Sequence, residues 1–216
     1  MENQEHKLYK LFANLFRLFL LGAIVGNVLT QNWFNLFASV LMLLLTYLPL
    51  LLEEKAYIYI PPSFQMIILV FIFASLYLGE LNEYYLKFWW WDIMLHTLSG
   101  IILGFIGFIL IYILNRDSKV NLALSGLFIA IFSFAFAVTA GVLWEIFEFA
   151  MDSLLGSNMQ KSGLDDTMGD LIVDALGALF TSTIGYIYSK KKGTSYLRNL
   201  IKDLISKEEE VTENDL

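Results

Sequence analysis

Six apolar stretches, each long enough to cross a lipid bilayer as a helix, dominate this chain. About 20 apolar residues in helical conformation span the hydrocarbon core, and the stretches fall at about 11–29, 34–52, 64–81, 92–114, 122–151 and 166–188. The residues are 57% hydrophobic and 16% charged, well beyond the roughly 45–50% apolar content of soluble domains. The fold class this implies is all-α, a polytopic membrane helix bundle with about six transmembrane spans. One transmembrane domain covers 1–189, and a cytoplasmic amphipathic tail, basic then acidic, covers 190–216. Pro49 is expected to kink or end the second span, and Pro61-Pro62 to precede the third. The first apolar run carries no small-residue cleavage site, so it reads as a retained span.

Charge sets the orientation. If both termini are cytoplasmic, the inner side holds Lys7, Lys10, Arg17, Lys55, Arg116, Lys119, Lys190, Lys191, Lys192, Arg198, Lys202 and Lys207. Only Lys87 and Lys161 are left for the outer side. That asymmetry follows the positive-inside rule and agrees with an even number of spans in the cell (inner) membrane. Trp89, Trp90 and Trp91 then fall at the outer interface, where aromatic belts form.

Acidic residues inside the apolar stretches are the second constraint. A carboxylate at the centre of a membrane helix costs roughly 2.5 kcal/mol or more, yet Glu145, Glu148, Asp152, Asp166, Asp170 and Asp174 recur there at helical spacing. Asp92 and His96 lie i,i+4, on one helix face. Glu145, Glu148 and Asp152 follow i, i+3, i+7; Asp166, Asp170 and Asp174 follow i, i+4, i+8. With the orientation above, all three groups lie at the outer ends of their spans.

Each group has a plainer explanation. A histidine near a helix start is commonly structural. Asp152 is equally explained as the point where its span surfaces, and Asp166 as a charge favoured by the helix dipole. These explanations fail for Glu145, at the end of a long apolar run, and for Asp174, flanked by Leu171, Ile172, Val173, Ala175 and Leu176. Small residues at Gly100, Gly104, Gly177, Thr181 and Gly185 would let the helices approach closely.

No intramembrane lysine or arginine accompanies spans four to six, so the acids stay protonated or a divalent cation neutralises them. A set rich in oxygen with one imidazole suits Mg²⁺, Mn²⁺, Ca²⁺ or Zn²⁺. The expected metal ligands are Glu145, Glu148, Asp170, Asp174 and His96, with His96, Asp92 and Glu145 placed to move protons. The absence of cysteine removes thiolate sites and disulfides.

The motifs resemble a known family. Trp90-Trp91-Asp92 to His96 with Ser99-Gly100, Trp144-Glu145-Ile146-Phe147-Glu148, and Asp166-Thr167-Met168-Gly169-Asp170 through Asp174 and Gly177 are similar to the YjdF family of uncharacterised bacterial inner-membrane proteins. More distantly, Asp92, His96, Glu145, Asp170 and Asp174 resemble the polar positions of VanZ-like membrane proteins, with Glu148 and Asp174 where that pattern has Gln and Asn.

Three functions stay open on the sequence. One is a metal-dependent enzyme acting on a lipid-linked or envelope substrate at the outer leaflet. The second is a proton- or cation-coupled transporter, against which the lack of polar residues in the inner halves of spans four to six counts. The third is a non-catalytic assembly or sensing protein whose acids form a structural network. Membrane lipids are the expected surroundings and nucleic acid is not an expected partner. Nothing in the sequence specifies oligomeric state.

Overall fold

The computed structural model describes residues 2–56, 60–116 and 124–190. Residues 191–216 of the amphipathic tail expected at 190–216, and Lys119, lie outside these residues. The described residues are almost entirely helical and contain no strand. Among the described residues, five helices are long and apolar enough to cross a membrane: His6–Leu29, Pro62–Leu81, Trp91–Tyr112, Gly126–Leu154 and Leu164–Lys190. The chain forms two compact units that divide after Phe88.

The first unit comprises α1 (Glu2–Leu29), α2 (Trp33–Leu45), α3 (Leu48–Ala56), α4 (Pro62–Ile72) and α5 (Tyr84–Lys87). Helix α4 runs on as a π-helical segment, Phe73–Leu81. Along α1, Tyr9, Ala13 and Leu20 fall on one stripe. Tyr9 and Ala13 bury with Leu69, and Leu20 buries with Met42, Ile72 and Leu76.

The second apolar stretch is not one continuous helix but two, α2 and α3, broken at Thr46-Tyr47. Pro49 explains the break, because its ring would clash with the carbonyl four residues earlier, at Leu45, where α2 ends. The break also explains Arg17, one of the cations counted on the inner side, which lies inside α1. Its Nη2 donates to the Thr46 carbonyl oxygen at 2.7 Å and its Nε to Thr46 Oγ1 at 3.0 Å. The guanidinium also stacks 3.9 Å over the Tyr47 ring. A charge that is costly in hydrocarbon is thus spent on backbone that the break leaves without a helical partner.

Within α3, Glu53 is half-buried, and its Oε1 accepts from Gln65 Nε2 at 2.8 Å and the Ile60 amide at 3.0 Å.

The second unit is built on α6 (Trp91–Arg116), α7 (Gly126–Leu155) and α8 (Leu164–Lys190). Helices α6 and α8 approach to backbone contact. A Cβ on Gly177 would sit 2.5 Å from the Thr97 carbonyl oxygen, and one on Gly100 would strike the backbone of Asp174. Hydroxyls tie the three helices further along. Thr181 Oγ1 donates to the Ile101 carbonyl at 3.1 Å, and Ser133 Oγ to that of Gly104 at 2.5 Å.

Candidate functional site

The acids of α6, α7 and α8 converge at one end of this three-helix unit. Helix α6 begins there, with Asp92 in its first turn and His96 one turn on. Helix α7 arrives there with Glu145 and Glu148, and α8 leaves with Asp170 and Asp174. Asp174, ten residues past Leu164, lies about 15 Å along α8 from its first residue.

His96 is the hub. Its Nδ1 lies 3.1 Å from Asp174 Oδ2, while Asp174 Oδ1 accepts from Ser99 Oγ at 2.5 Å. With Asp174 ionised, Nδ1 donates to it, and in the neutral imidazole the Nε2 lone pair is then left for an ion. Room for this carboxylate comes from Gly141, where a Cβ would stand 2.7 Å from Asp174 Oδ2.

Nε2 faces a gap walled by carboxylate oxygens. Asp92 Oδ1 is 3.7 Å away, Asp170 Oδ2 3.9 Å and Glu145 Oε1 4.0 Å. Each is too far for a hydrogen bond. Atoms ligating one ion at about 2.0–2.2 Å stand up to about 4 Å apart across it. The ligand atoms of Asp92, His96 and Asp170 lie within 4.8 Å of one another, so this buried Asp-His-Asp group could hold a metal ion.

Glu145 is the strongest sign of a missing partner. It is 4% exposed, and neither carboxylate oxygen has a hydrogen-bond partner. The Thr167 hydroxyl lies nearby and accepts from Gln160 Nε2 at 2.7 Å, which leaves its own proton available. A buried, unpaired carboxylate is costly.

The remaining acids play different parts. Glu148 is buried and accepts from Trp144 Nε1 at 2.9 Å. Asp152 turns away to organise the loop after α7, where Oδ1 accepts from Ser157 Oγ and the Met159 amide, both at 2.7 Å, and Oδ2 from the Gln160 amide at 2.9 Å. Its plainer sequence explanation is the one its contacts follow. From the same loop Lys161 reaches down and pairs with Asp92 Oδ2.

Among the residues expected to act, Asp92, His96, Glu145 and Asp170 share the gap at Nε2. Asp174 holds the other side of the imidazole, and Glu148 is engaged by an indole. Sequence reasoning gave no part to Ser99 or to the Trp144 side chain. The signal for Ser99 was its position seven residues after Asp92 and three after His96, on their helix face.

A model of a family described as "Predicted membrane protein (DUF2238)" matches residues 10–191. It is the family of the YjdF-type proteins that the motifs resemble. A protein of Thermotoga maritima, described as an uncharacterized protein, is 31% identical over 150 residues, covering 69% of this chain and 74% of its own length. No solved structure matches.

Proposed function

The chain belongs to the DUF2238 family of predicted membrane proteins, and on that premise we propose that it is a divalent-metal-dependent membrane enzyme. Its ion would be held by His96 Nε2, Asp92, Asp170 and Glu145. The observation that carries this reading is the gap at Nε2, ringed by three carboxylate oxygens at 3.7–4.0 Å, one of them from a buried residue with no hydrogen-bond partner.

Asp174 supports the reading from behind. A carboxylate on the far nitrogen of a ligating histidine fixes the tautomer and raises the basicity of the ligand. In this assignment Asp174 orients rather than ligates, and Glu148 stands one turn along α7 as a proton carrier. Three carboxylates with one imidazole favour Mn²⁺, Zn²⁺ or Mg²⁺. Such an ion polarises a carbonyl or phosphoryl oxygen, or lowers the pKa of water.

The distribution of lysine and arginine supports a cell-membrane protein with both termini cytoplasmic and this end of α6 outward. The substrate would then be a lipid-linked or other envelope molecule met at the outer leaflet. An enzyme is favoured over a transporter by one further observation. From Gly100 to Tyr112, Gly126 to Leu143 and Ala175 to Ser189 no charged residue occurs. The buried polar groups there are hydroxyls, and those of Ser133, Thr181 and Ser182 are bonded to carbonyls. Alternating access needs polar groups on both sides of its site.

Equilibrium dialysis of the purified protein against Mn²⁺ and Zn²⁺ tests the binding. One ion per chain in wild type, lost in Asp170→Asn, is the expected result. Equal binding by the two proteins contradicts it.

A further inference from the structure

Resting on the metal reading of this site, we propose that Lys161 is a tethered counter-cation that competes with the metal ion for Asp92 and so sets how weakly the site holds its ion. The ammonium pairs with Asp92 Oδ2, while Oδ1 of the same carboxylate lines the gap at His96 Nε2. One carboxylate therefore serves two positive charges. Neither partner is freely solvated, since the side chains of Lys161 and Asp92 are only 20% and 15% exposed. An ion entering the gap meets a fixed positive charge one carboxylate away, with little water to screen it.

The loop that carries Lys161 is built to hold it there. Gly156 and Gly163 bracket it at φ of 66° and 69°, a conformation that glycine adopts without strain. Between them Asp152 collects three hydrogen bonds, from Ser157 and the Met159 and Gln160 amides. Gln160 in turn reaches Thr167 on α8 through Nε2. The residue after this anchored stretch is Lys161, the one lysine between α7 and α8. A lysine on a slack loop would lose most of its pairing to side-chain and backbone entropy. This one is delivered to Asp92 with much of that entropy already spent.

The competing account is that Lys161 helps the ion by orienting Asp92. Loss of an orienting contact weakens metal binding by about 10–100-fold, whereas loss of a competing charge strengthens it. The two accounts predict opposite signs.

The test is Mn²⁺ affinity, by equilibrium dialysis, of the full chain in detergent micelles for wild type, Lys161→Met, Lys161→Arg and Asp152→Asn. Lys161→Met should bind at least about tenfold more tightly than wild type. Lys161→Arg, which keeps the charge, should stay near wild type. Asp152→Asn, which slackens the loop, should fall between them. Lys161→Gln removes the same charge and replaces the Met variant if that one fails to insert. Unchanged or weaker binding on removing the charge overturns the proposal while leaving the metal site standing. Absence of binding in wild type and Lys161→Met alike sinks the metal reading itself, and this proposal with it.

Discussion

Asp174 and His96 stand 78 positions apart in the chain and meet at 3.1 Å, carboxylate Oδ2 to ring Nδ1. This contact aims the opposite nitrogen at Asp92, Glu145 and Asp170. It makes Asp174 the orienting partner of the imidazole, with Ser99 securing its second oxygen.

Asp174→Asn should therefore weaken divalent-ion binding rather than abolish it, by about 10–100-fold. An amide still offers one acceptor to Nδ1–H, but it no longer stabilises the positive charge shared with a bound ion. Loss of His96 itself, in His96→Ala, should cost more than this. Titration of both variants with Mn²⁺ orders them, and an Asp174→Asn protein that binds like wild type removes Asp174 from the site.

Helix α8 offers a matched pair of glycine substitutions with opposite expected signs. Gly177 faces the Thr97 carbonyl, with no room for a methyl group, whereas a Cβ on Gly169 meets nothing within 4 Å. Gly177→Ala should destabilise the protein by about 1–3 kcal/mol, as overpacking does. Gly169→Ala should be neutral or stabilise it by up to about 1 kcal/mol, since alanine is the better helix former. Thermal unfolding midpoints in one detergent compare the two directly.

Arg17 should be tied energetically to Pro49. Arg17→Met leaves the Thr46 carbonyl without the guanidinium and should cost about 1–3 kcal/mol. Pro49→Ala returns a backbone N–H to the break and relieves the clash at Leu45. In the double variant part of the loss should be recovered. Strictly additive effects in the mutant cycle would show that the two residues act independently.

Glu53 predicts a pH effect in the first unit. Burial is the main influence on this carboxyl and pushes its pKa above the ordinary carboxylate value, partly offset by the hydrogen bonds from Ile60 and Gln65. With the folded-state pKa above the unfolded one, folding binds the proton more tightly. The resulting stabilisation is full below the unfolded pKa and is lost as pH rises through the raised value. Glu53→Gln should flatten this pH dependence, read from unfolding midpoints across the acidic to neutral range. An identical slope in wild type and variant would contradict the assignment.

Much of the architecture is legible in the chain because hydrocarbon allows few solutions. Apolar runs of helical length dictated the spans, and Pro49 marked the interruption of the second. The step from Gly100 and Gly104 to Gly177 and Thr181 announced the tight α6–α8 contact. The site was legible as a set of residue types on three helix faces. What periodicity does not carry is the rotation of each helix about its axis. That rotation decides whether Asp174 meets the ring of His96 or the gap beyond it, and it depends on tertiary contacts such as that of Gly141 with Asp174. Arg17 shows the same limit, since it is explained by a backbone feature of another segment. Ser99 was hidden for a simpler reason: a lone serine in an apolar helix commonly bonds to its own backbone.

The central claim is that His96 Nε2 ligates a metal ion. Its most direct test is pulsed electron paramagnetic resonance of the purified protein loaded with Mn²⁺, for wild type and His96→Ala. The account predicts nitrogen coupling from one directly bound imidazole in wild type and its disappearance in the variant. Manganese bound at one ion per chain without nitrogen coupling would contradict it.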